Sequence, residues 1–390
     1  MSDAASQYTA AHIQVLEGRE AIRKRPGMYV GSTREPGLHN TVFEVSDWAV
    51  NEVLAGRAEH VDVTLESDGS VRVAIDGPGI PVEAAGHTGD PSLEALLTRM
   101  HAGPRGDSRD FVGVGLFGMG PFVTNALSSR LTGEVRREGV RWVQRYDRGA
   151  AAGPPSPQGP TTESGTVIAF RPDADIFGTA QCSFDALAER FRTLAFLNRG
   201  LAISLTDRRP SCGSRSERFV FPGGARDFVA VIAARTGTTD GTDVFGFEYE
   251  DPQIAGSVEV AMMWSDTLAG GVHGFANSMP TPGGGAHVAG LRDGVAAAIN
   301  AFARERRLLT KTDTDLGLDR FCDGLTAVVS VKLDCPEFEG ATRDCLGNAE
   351  VRESVAAAVR DQLIAWLAED PRLASEVVGR MAAGTSSAGA

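Results

Sequence analysis

Lysine is the scarcest charged residue in this sequence, since Lys24, Lys311 and Lys332 are the only three among 390 residues. Arginine therefore carries nearly all of the positive charge. The 51 acidic residues outnumber the 38 lysines and arginines, which gives a formal net charge of −13. An acidic chain repels the nucleic-acid backbone overall, and no long basic cluster offsets that repulsion. DNA is therefore not an expected partner.

Long apolar runs and paired cysteines are also missing. No run reaches the roughly 18 apolar residues that span a bilayer, and residues 1–5 are not followed by an apolar signal core. The five cysteines are an odd number without Cys-x-x-Cys spacing, so they indicate neither a disulfide framework nor a zinc site. These absences favour a cytoplasmic protein with no membrane partner.

What is present is a mixture of helical and strand patterns, which predicts an α+β fold. Apolar residues recur at helical spacing over 39–55, and an alternating pattern over 60–75 surrounds an Asp68-Gly69 turn. Residues 149–163 read as a Pro/Gly loop, and a helix is expected from about Arg292 to Arg306. Pro222-Gly223-Gly224 is the best candidate for a domain boundary. The predicted organisation is an arm, two domains and a disordered tail, at 1–15, 16–224, 225–381 and 382–390.

Several motifs follow one another along the chain. They are Arg23-Lys-Arg-Pro-Gly-Met-Tyr-Val-Gly31, Phe43-Glu44-Val-Ser-Asp47-Trp48-Ala49, Gly115-Leu-Phe-Gly118-Met-Gly120, Asn125-Ala-Leu, Ser164-Gly165-Thr166, and Asn277-Ser-Met-Pro280 with Gly284-Gly285-Ala-His287. Together and in this order they resemble the motifs of the gyrase B family, which also includes the related topoisomerase IV proteins. The resemblance implies a GHKL (Bergerat) ATPase-like sandwich followed by a ribosomal-protein-S5-like transducer domain. The family's metal-binding strand-cleavage domain is expected to be absent from this chain, so we do not expect topoisomerase activity from it alone.

The resemblance places a general base and a metal ligand on the predicted long helix. Glu44 takes the position of the family's general base, and Asp47 lies nearby as a second acid/base candidate. Four residues after Glu44, on the same helix face, the family has an Asn that binds Mg²⁺, and this sequence has Trp48. An indole offers no oxygen to a hard cation, so bound Mg²⁺ is doubtful.

The family's Asp-x-Gly-x-Gly motif reads Ile75-Asp76-Gly77-Pro78-Gly79 in this sequence. Ile75 therefore stands where the family's Asp receives the adenine amino group, and Asp76 points to the other face of the strand. An unpaired adenine N–H costs roughly 1–3 kcal/mol, so ATP is doubtful as well. Pro78 replaces the family's Arg at the rim, whereas Thr166, which supports the adenine contact, is retained.

The glycine-rich lid and the transducer lysine are only partly kept. The Gly115–Gly120 segment retains its three glycines, which suits a loop that wraps phosphates, but Phe117 replaces the family's His. Arg343, in Ala341-Thr-Arg343, replaces the lysine that reaches the terminal phosphate, and it keeps the charge but not the geometry.

These replacements exchange metal and nucleobase recognition for apolar and aromatic surface. The leading hypothesis is a scaffold repurposed to bind a largely apolar small molecule, with no cofactor expected. Glu44 and Asp47 would then perform acid/base chemistry, such as the proton transfer, elimination or cyclisation of secondary metabolism. The residues expected to contact the molecule are Trp48, Ile75, Asp76, Pro78, Gly79, Phe117, Gly118, Met119, Gly120, Thr166 and Arg343.

Two alternatives stay open at this stage. One is a non-catalytic pseudo-ATPase that acts as a binding, regulatory or antibiotic-resistance protein, and the other is a weak residual ATPase. A homodimer through the N-terminal arm is compatible with each hypothesis, because Tyr8 and Ile13 match positions of the family's arm, which swaps between protomers.

Overall fold

The computed structural model describes residues 16–83, 92–100, 114, 118–210, 213–237, 242–265, 270–307, 315, 324–340 and 342–369. The described chain forms two compact units. The first holds the described residues up to 188, except Val114, together with 204–217, and the second holds Val114, 189–203 and 218–369. The predicted arm (1–15) and tail (382–390) lie outside the described residues, and the predicted boundary at 224/225 stays a prediction.

A nine-stranded sheet is the main element of the first unit within the described part of the chain. Its strands are β1 (His60–Leu65), β2 (Val71–Ile75), β3 (Ser128–Arg137), β4 (Val140–Asp147), β5 (Ala150–Ala151), β6 (Ser156–Pro160), β7 (Gly165–Pro172), β8 (Ala202–Asp207) and β9 (Arg215–Phe219). They run in the order β5-β4-β3-β7-β2-β1-β8-β9, and β6 pairs with β4. The sheet order places β3 and β2 on either side of β7, although they are far apart in sequence.

Seven helices lie wholly or partly in the first unit among the described residues, and the last of them continues past residue 188 into the second unit. They are α1 (Gly18–Lys24), α2 (Gly27–Val30), α3 (Glu35–Leu54), α4 (Leu93–Thr98), α5 (Pro121–Ala126), α6 (Ala174–Phe177) and α7 (Phe184–Leu197). The predicted helix over 39–55 is confirmed as α3, which packs on β1, β2 and α5. It starts earlier than predicted because Pro36 occupies its first turn, where a missing N–H costs nothing.

The predicted β1–β2 hairpin is confirmed, with Val63 opposite Val73 and Leu65 opposite Val71. Asp68 tightens the turn by accepting a hydrogen bond from the backbone N–H of Ser70, as Asp residues in turns often do. The predicted loop over 149–163 is wrong in part, because β5 and β6 lie inside it and pair with β4.

The second unit contains two smaller sheets within the described residues. A five-stranded sheet orders β10 (Phe245–Asp251), β11 (Gly256–Trp264), β15 (Leu325–Leu333), β12 (Val272–Ala276) and β13 (Met279–Pro280). A three-stranded sheet orders β14 (Gly284–Gly285), β17 (Cys345–Leu346) and β16 (Phe338–Glu339). The pair β12–β15 is parallel, whereas β11 runs antiparallel to both β10 and β15, so the larger sheet is mixed.

Three helices complete the second unit: α8 (Ala225–Arg235), α9 (Ala286–Glu305) and α10 (Ala349–Glu369). Valine and leucine recur at every fourth position along α10 and are fully buried, which is the apolar stripe of a helix packed on its partner. A Cβ at Gly294 of α9 would lie 2.7 Å from the carbonyl oxygen of Ala356, so the glycine permits close contact between α9 and α10. Because α9 begins at Ala286, the helix predicted from Arg292 starts six residues too late.

None of the described helices has the combination of length and apolar character that crossing a membrane requires.

Candidate functional site

Trp48 and Ile75 line the same small cavity in the first unit. Trp48 projects from α3 with 4% of its surface exposed, and Ile75 ends β2 with 8% exposed. The cavity measures about 70 Å³. Its described lining residues are Trp48, Glu52, Arg57, Ile75, Asp76, Pro78, Gly79, Ile80, Pro81, Leu96 and Arg137. The structure thus brings together Trp48, Ile75, Asp76, Pro78 and Gly79, five of the residues selected from the sequence.

The sheet fixes where Ile75 and its neighbours point. Ile75 lies opposite Thr166 of β7, and the fully buried hydroxyl of Thr166 accepts a 3.0 Å hydrogen bond from the backbone N–H of Ile80. Asp76 accepts hydrogen bonds from the backbone N–H groups of Glu59 and His60, at 2.8 and 3.0 Å. The Asp76 carboxylate therefore anchors the start of β1.

The turn after Ile75 needs its glycine for a steric reason. Gly77 has a φ of +90°, and a Cβ there would lie 2.1 Å from the carbonyl oxygen of Arg57, so only glycine fits. Arg137, at the end of β3, donates a 2.7 Å hydrogen bond to the carbonyl oxygen of Gly79. Arg137 thereby holds the turn and contributes a cation to the cavity wall.

Three charged residues of the cavity wall were missed by the sequence analysis. Glu52 and Arg57 form a 2.7 Å ion pair, and Arg137 is the third. Glu52 follows Trp48 by four residues, and helical spacing could have placed it on the same face. Arg137 could not have been found locally, because only the pairing of β3 and β2 with β7 brings it to this turn.

Glu44 is buried, with 5% of its surface exposed, and its carboxylate faces the glycine-rich segment. Its Oε2 accepts a 2.7 Å hydrogen bond from the backbone N–H of Gly120, the residue that precedes α5. A charge-assisted hydrogen bond of this length is among the stronger ones in proteins. Glu44 and the Trp48 cavity lie one helical turn apart, but Glu44 is not among the described residues that line that cavity.

The remaining sequence-selected residues are dispersed. Asp47 is buried on α3, Gly118 is exposed, and Met119 is half-buried next to Gly120. Arg343 is exposed on the loop before β17 in the second unit, with a φ of +57°. Phe117, like Gly115, lies outside the described residues, so its expected contact stays a prediction.

The residues of the cavity do not fit Mg·ATP. Its volume of about 70 Å³ is well below the roughly 300–1,000 Å³ of ordinary small-molecule sites. The buried indole of Trp48, which the resemblance places at the metal-ligand position, offers a hard cation no oxygen, and the side chain of Ile75 offers no hydrogen-bond acceptor. The two carboxylates among the described lining residues, Glu52 and Asp76, are already engaged by Arg57 and by the backbone of β1.

Comparison with known proteins gives a consistent set of relatives. The family model for DNA gyrase B matches residues 224–389. The chain is 42% identical to the DNA gyrase B protein of Streptomyces coelicolor, over 96% of this chain and 57% of that protein. It is 40% identical to the novobiocin-sensitive DNA gyrase B protein of Streptomyces niveus, over 95% of this chain and 57% of that protein. The chain thus spans a little over half the length of these curated relatives.

Solved structures resemble the chain along almost their full length. The 43K ATPase domain of Thermus thermophilus gyrase B, in complex with an aminocoumarin, superposes with a TM-score of 0.79 at 31% identity and covers 95% of each chain. The ATP-binding domain of Francisella tularensis topoisomerase IV, in complex with a small-molecule inhibitor, gives a TM-score of 0.75 at 27% identity, over 95% of this chain and 97% of that one. The predicted α+β class and GHKL ATPase-like fold with a transducer domain are confirmed.

Proposed function

Because the chain belongs to the DNA gyrase B family, we propose that its first unit uses the family's nucleotide site to bind a small, largely apolar molecule in place of Mg·ATP. The observation that carries this proposal is the shared cavity of Trp48 and Ile75, two buried apolar residues at the positions of the metal and adenine ligands. The cavity accommodates the edge of a ring or a branched alkyl group. The rest of the molecule would extend past Pro78, which is exposed at the rim.

The charged residues of the cavity wall would orient the bound molecule and would not bind a charged group on it. Glu52 and Arg57 neutralise each other, and Arg137 is tied to Gly79. A neutral or weakly polar ring is therefore preferred over an anion, since an anion would have to compete with Glu52 for Arg57 or with Glu138 for Arg137.

Coumarin serves as a neutral aromatic probe for this proposal. Saturation-transfer NMR with the full chain should detect coumarin binding, and Ile75→Asp should weaken it because a carboxylate would enter the apolar wall. Val220→Asp is a matched control, since Val220 is 38% exposed and lies in the second unit. No transfer to coumarin, or equal transfer in the Ile75→Asp variant, would overturn the proposal.

A second candidate function is acid/base chemistry at Glu44 on the bound molecule. The observation that favours it is the burial of Glu44 and the direct hydrogen bond of its carboxylate to Gly120, which holds the carboxylate in one orientation. This arrangement suits proton transfer from a fixed position. Incubation with small molecules extracted from the native host, followed by mass spectrometry, should show a product with the natural chain and none with Glu44→Gln. A product formed equally by both chains would exclude this role.

A further inference from the structure

The first unit contains a second cleft, which is separate from the Trp48 cavity. Leu38 lines the second cleft from the start of α3, and Trp48 is ten residues further along the same helix, about 15 Å at the usual helical rise. Val71 lines it from the start of β2, whereas Ile75 ends that strand about 13 Å away. The two sites therefore lie at opposite ends of the same helix and strand.

The floor of the cleft is apolar and already formed. Leu38, Leu65 and Val71 are each 2% exposed, and Phe177 is 5% exposed. The cleft measures about 470 Å³, within the roughly 300–1,000 Å³ typical of small-molecule sites. Cys182 also lines it, and burial raises the pKa of its thiol to about 12, so this cysteine acts as a neutral wall residue and not as a nucleophile.

Three of the four charged residues that line the cleft are engaged by other groups. Asp173 accepts a 2.6 Å hydrogen bond from Arg23, and Asp68 accepts one of 3.0 Å from Arg130. Arg209 donates to Asp207 at 2.6 Å and to the carbonyl oxygen of Cys182 at 2.7 Å. These hydrogen bonds already hold the three side chains in place, so their positions do not depend on a bound ligand.

Arg171 is the fourth, and its guanidinium makes no hydrogen bond to any described residue. Its nearest acidic oxygen belongs to Asp68 at 3.9 Å, which is beyond hydrogen-bond distance. A planar guanidinium fork beside an apolar floor matches a carboxylate attached to an apolar body. We propose that this cleft binds an amphipathic carboxylate, with its ring or chain on the Leu38–Phe177 floor and its carboxylate paired with Arg171.

The proposal goes beyond the function proposed for the Trp48 cavity, and each can fail without the other. The described lining residues of the two sites do not overlap. A carboxylate is preferred in this cleft, whereas a neutral ring is preferred beside Trp48. The charge of the probe therefore distinguishes the two sites.

The test is calorimetric titration of the full chain with 2-naphthoate and, as a neutral analogue, 2-naphthylmethanol. We expect saturable binding of 2-naphthoate with a Kd of about 1 mM or tighter, and at least about tenfold weaker binding of the alcohol because it forms no charge-assisted pair. Coumarin should not displace 2-naphthoate.

Three variants locate the binding. Arg171→Gln should weaken 2-naphthoate about tenfold or more, while Arg145→Gln, at an exposed arginine of β4 outside the cleft, should leave it unchanged. Ala174→Trp places a large ring at an exposed lining position and should abolish binding. Absence of saturable binding in the natural chain, or unchanged affinity in both Arg171→Gln and Ala174→Trp, would overturn the proposal.

Discussion

The backbone N–H of Gly120 donates a 2.7 Å hydrogen bond to Oε2 of Glu44. This bond joins the end of the glycine-rich segment to the middle of α3, and α5 begins at the very next residue. Since α3 and α5 also pack together, the Glu44 carboxylate fixes the point where the segment enters α5. Glu44 therefore has a structural role in addition to any chemistry it performs.

Replacing Glu44 should loosen the glycine-rich segment. Glu44→Ala leaves the Gly120 N–H without its acceptor, which should lower the free energy of unfolding by about 1–3 kcal/mol and speed hydrogen exchange across 118–126. Glu44→Gln keeps an acceptor oxygen and should show a smaller effect. Exchange mass spectrometry with urea unfolding measures both, and unchanged exchange in Glu44→Ala would mean that this bond does not hold the segment.

Trp48 should contribute to stability as a buried core residue. Trp48→Ala removes an indole that is 4% exposed and enlarges an existing cavity, so the free energy of unfolding should fall by about 3–5 kcal/mol. Trp142→Ala, at a half-buried position on β4, is the matched control and should cost less. Urea unfolding measures both variants, and equal losses of the free energy of unfolding would show that the Trp48 indole is not tightly packed in the core.

Ile75 should control the affinity for novobiocin, the drug named for two Streptomyces niveus relatives. The resemblance places Ile75 where the family has an Asp acceptor, and without that acceptor the natural chain should bind novobiocin weakly. Ile75→Asp restores an acceptor and should tighten binding about tenfold or more, whereas Ile75→Leu should not. Fluorescence titration tests this, and tight binding to the natural chain would contradict the role assigned to Ile75.

Acidification should destabilise the second unit through His287. This side chain is fully buried against Thr281, at 2.9 Å between Nε2 and Oγ1, and burial lowers its pKa to about 4. Because the unfolded chain takes up a proton at about pH 6.5 and the folded chain only near pH 4, folding stability falls as the pH drops between these values. We expect a loss of about 2 kcal/mol from about pH 7.5 to pH 5.

The matched variant for this pH effect is His287→Gln, which removes the titrating ring. Burial also lowers the pKa values of His39 and His273, so the variant keeps their smaller contributions. The difference in pH dependence between the two chains, measured by urea unfolding, isolates His287. Parallel pH profiles would show that His287 does not contribute.

Patterns within a short segment of the sequence predicted the elements that those same residues determine. The β1–β2 hairpin follows from strict alternation around Asp68-Gly69, and α3 follows from helical spacing of its apolar residues. The helix predicted from Arg292 omits the first six residues of α9, which begins at Ala286. Gly290 and Gly294 have a low helix propensity, but in the structure they allow α9 to approach α10 closely, so tertiary packing overrides local propensity.

The candidate site could likewise be predicted only in part from the sequence. The resemblance to the gyrase B family placed Trp48 and Ile75 at one site, and the structure brings them to one cavity. The role of Arg137 depends on how β3, β7 and β2 pair, which is a non-local property of the sheet. The size of the cavity and the hydrogen bonds that engage Asp76 are consequences of packing, and no pattern in the sequence encodes them directly.

We propose that this member of the DNA gyrase B family does not use Mg·ATP, and calorimetric titration of the full chain with Mg·ATP tests this proposal. We expect no saturable binding at concentrations up to about 1 mM, with no phosphate release above that of a buffer control. Micromolar binding, or phosphate release that Glu44→Gln abolishes, would contradict it.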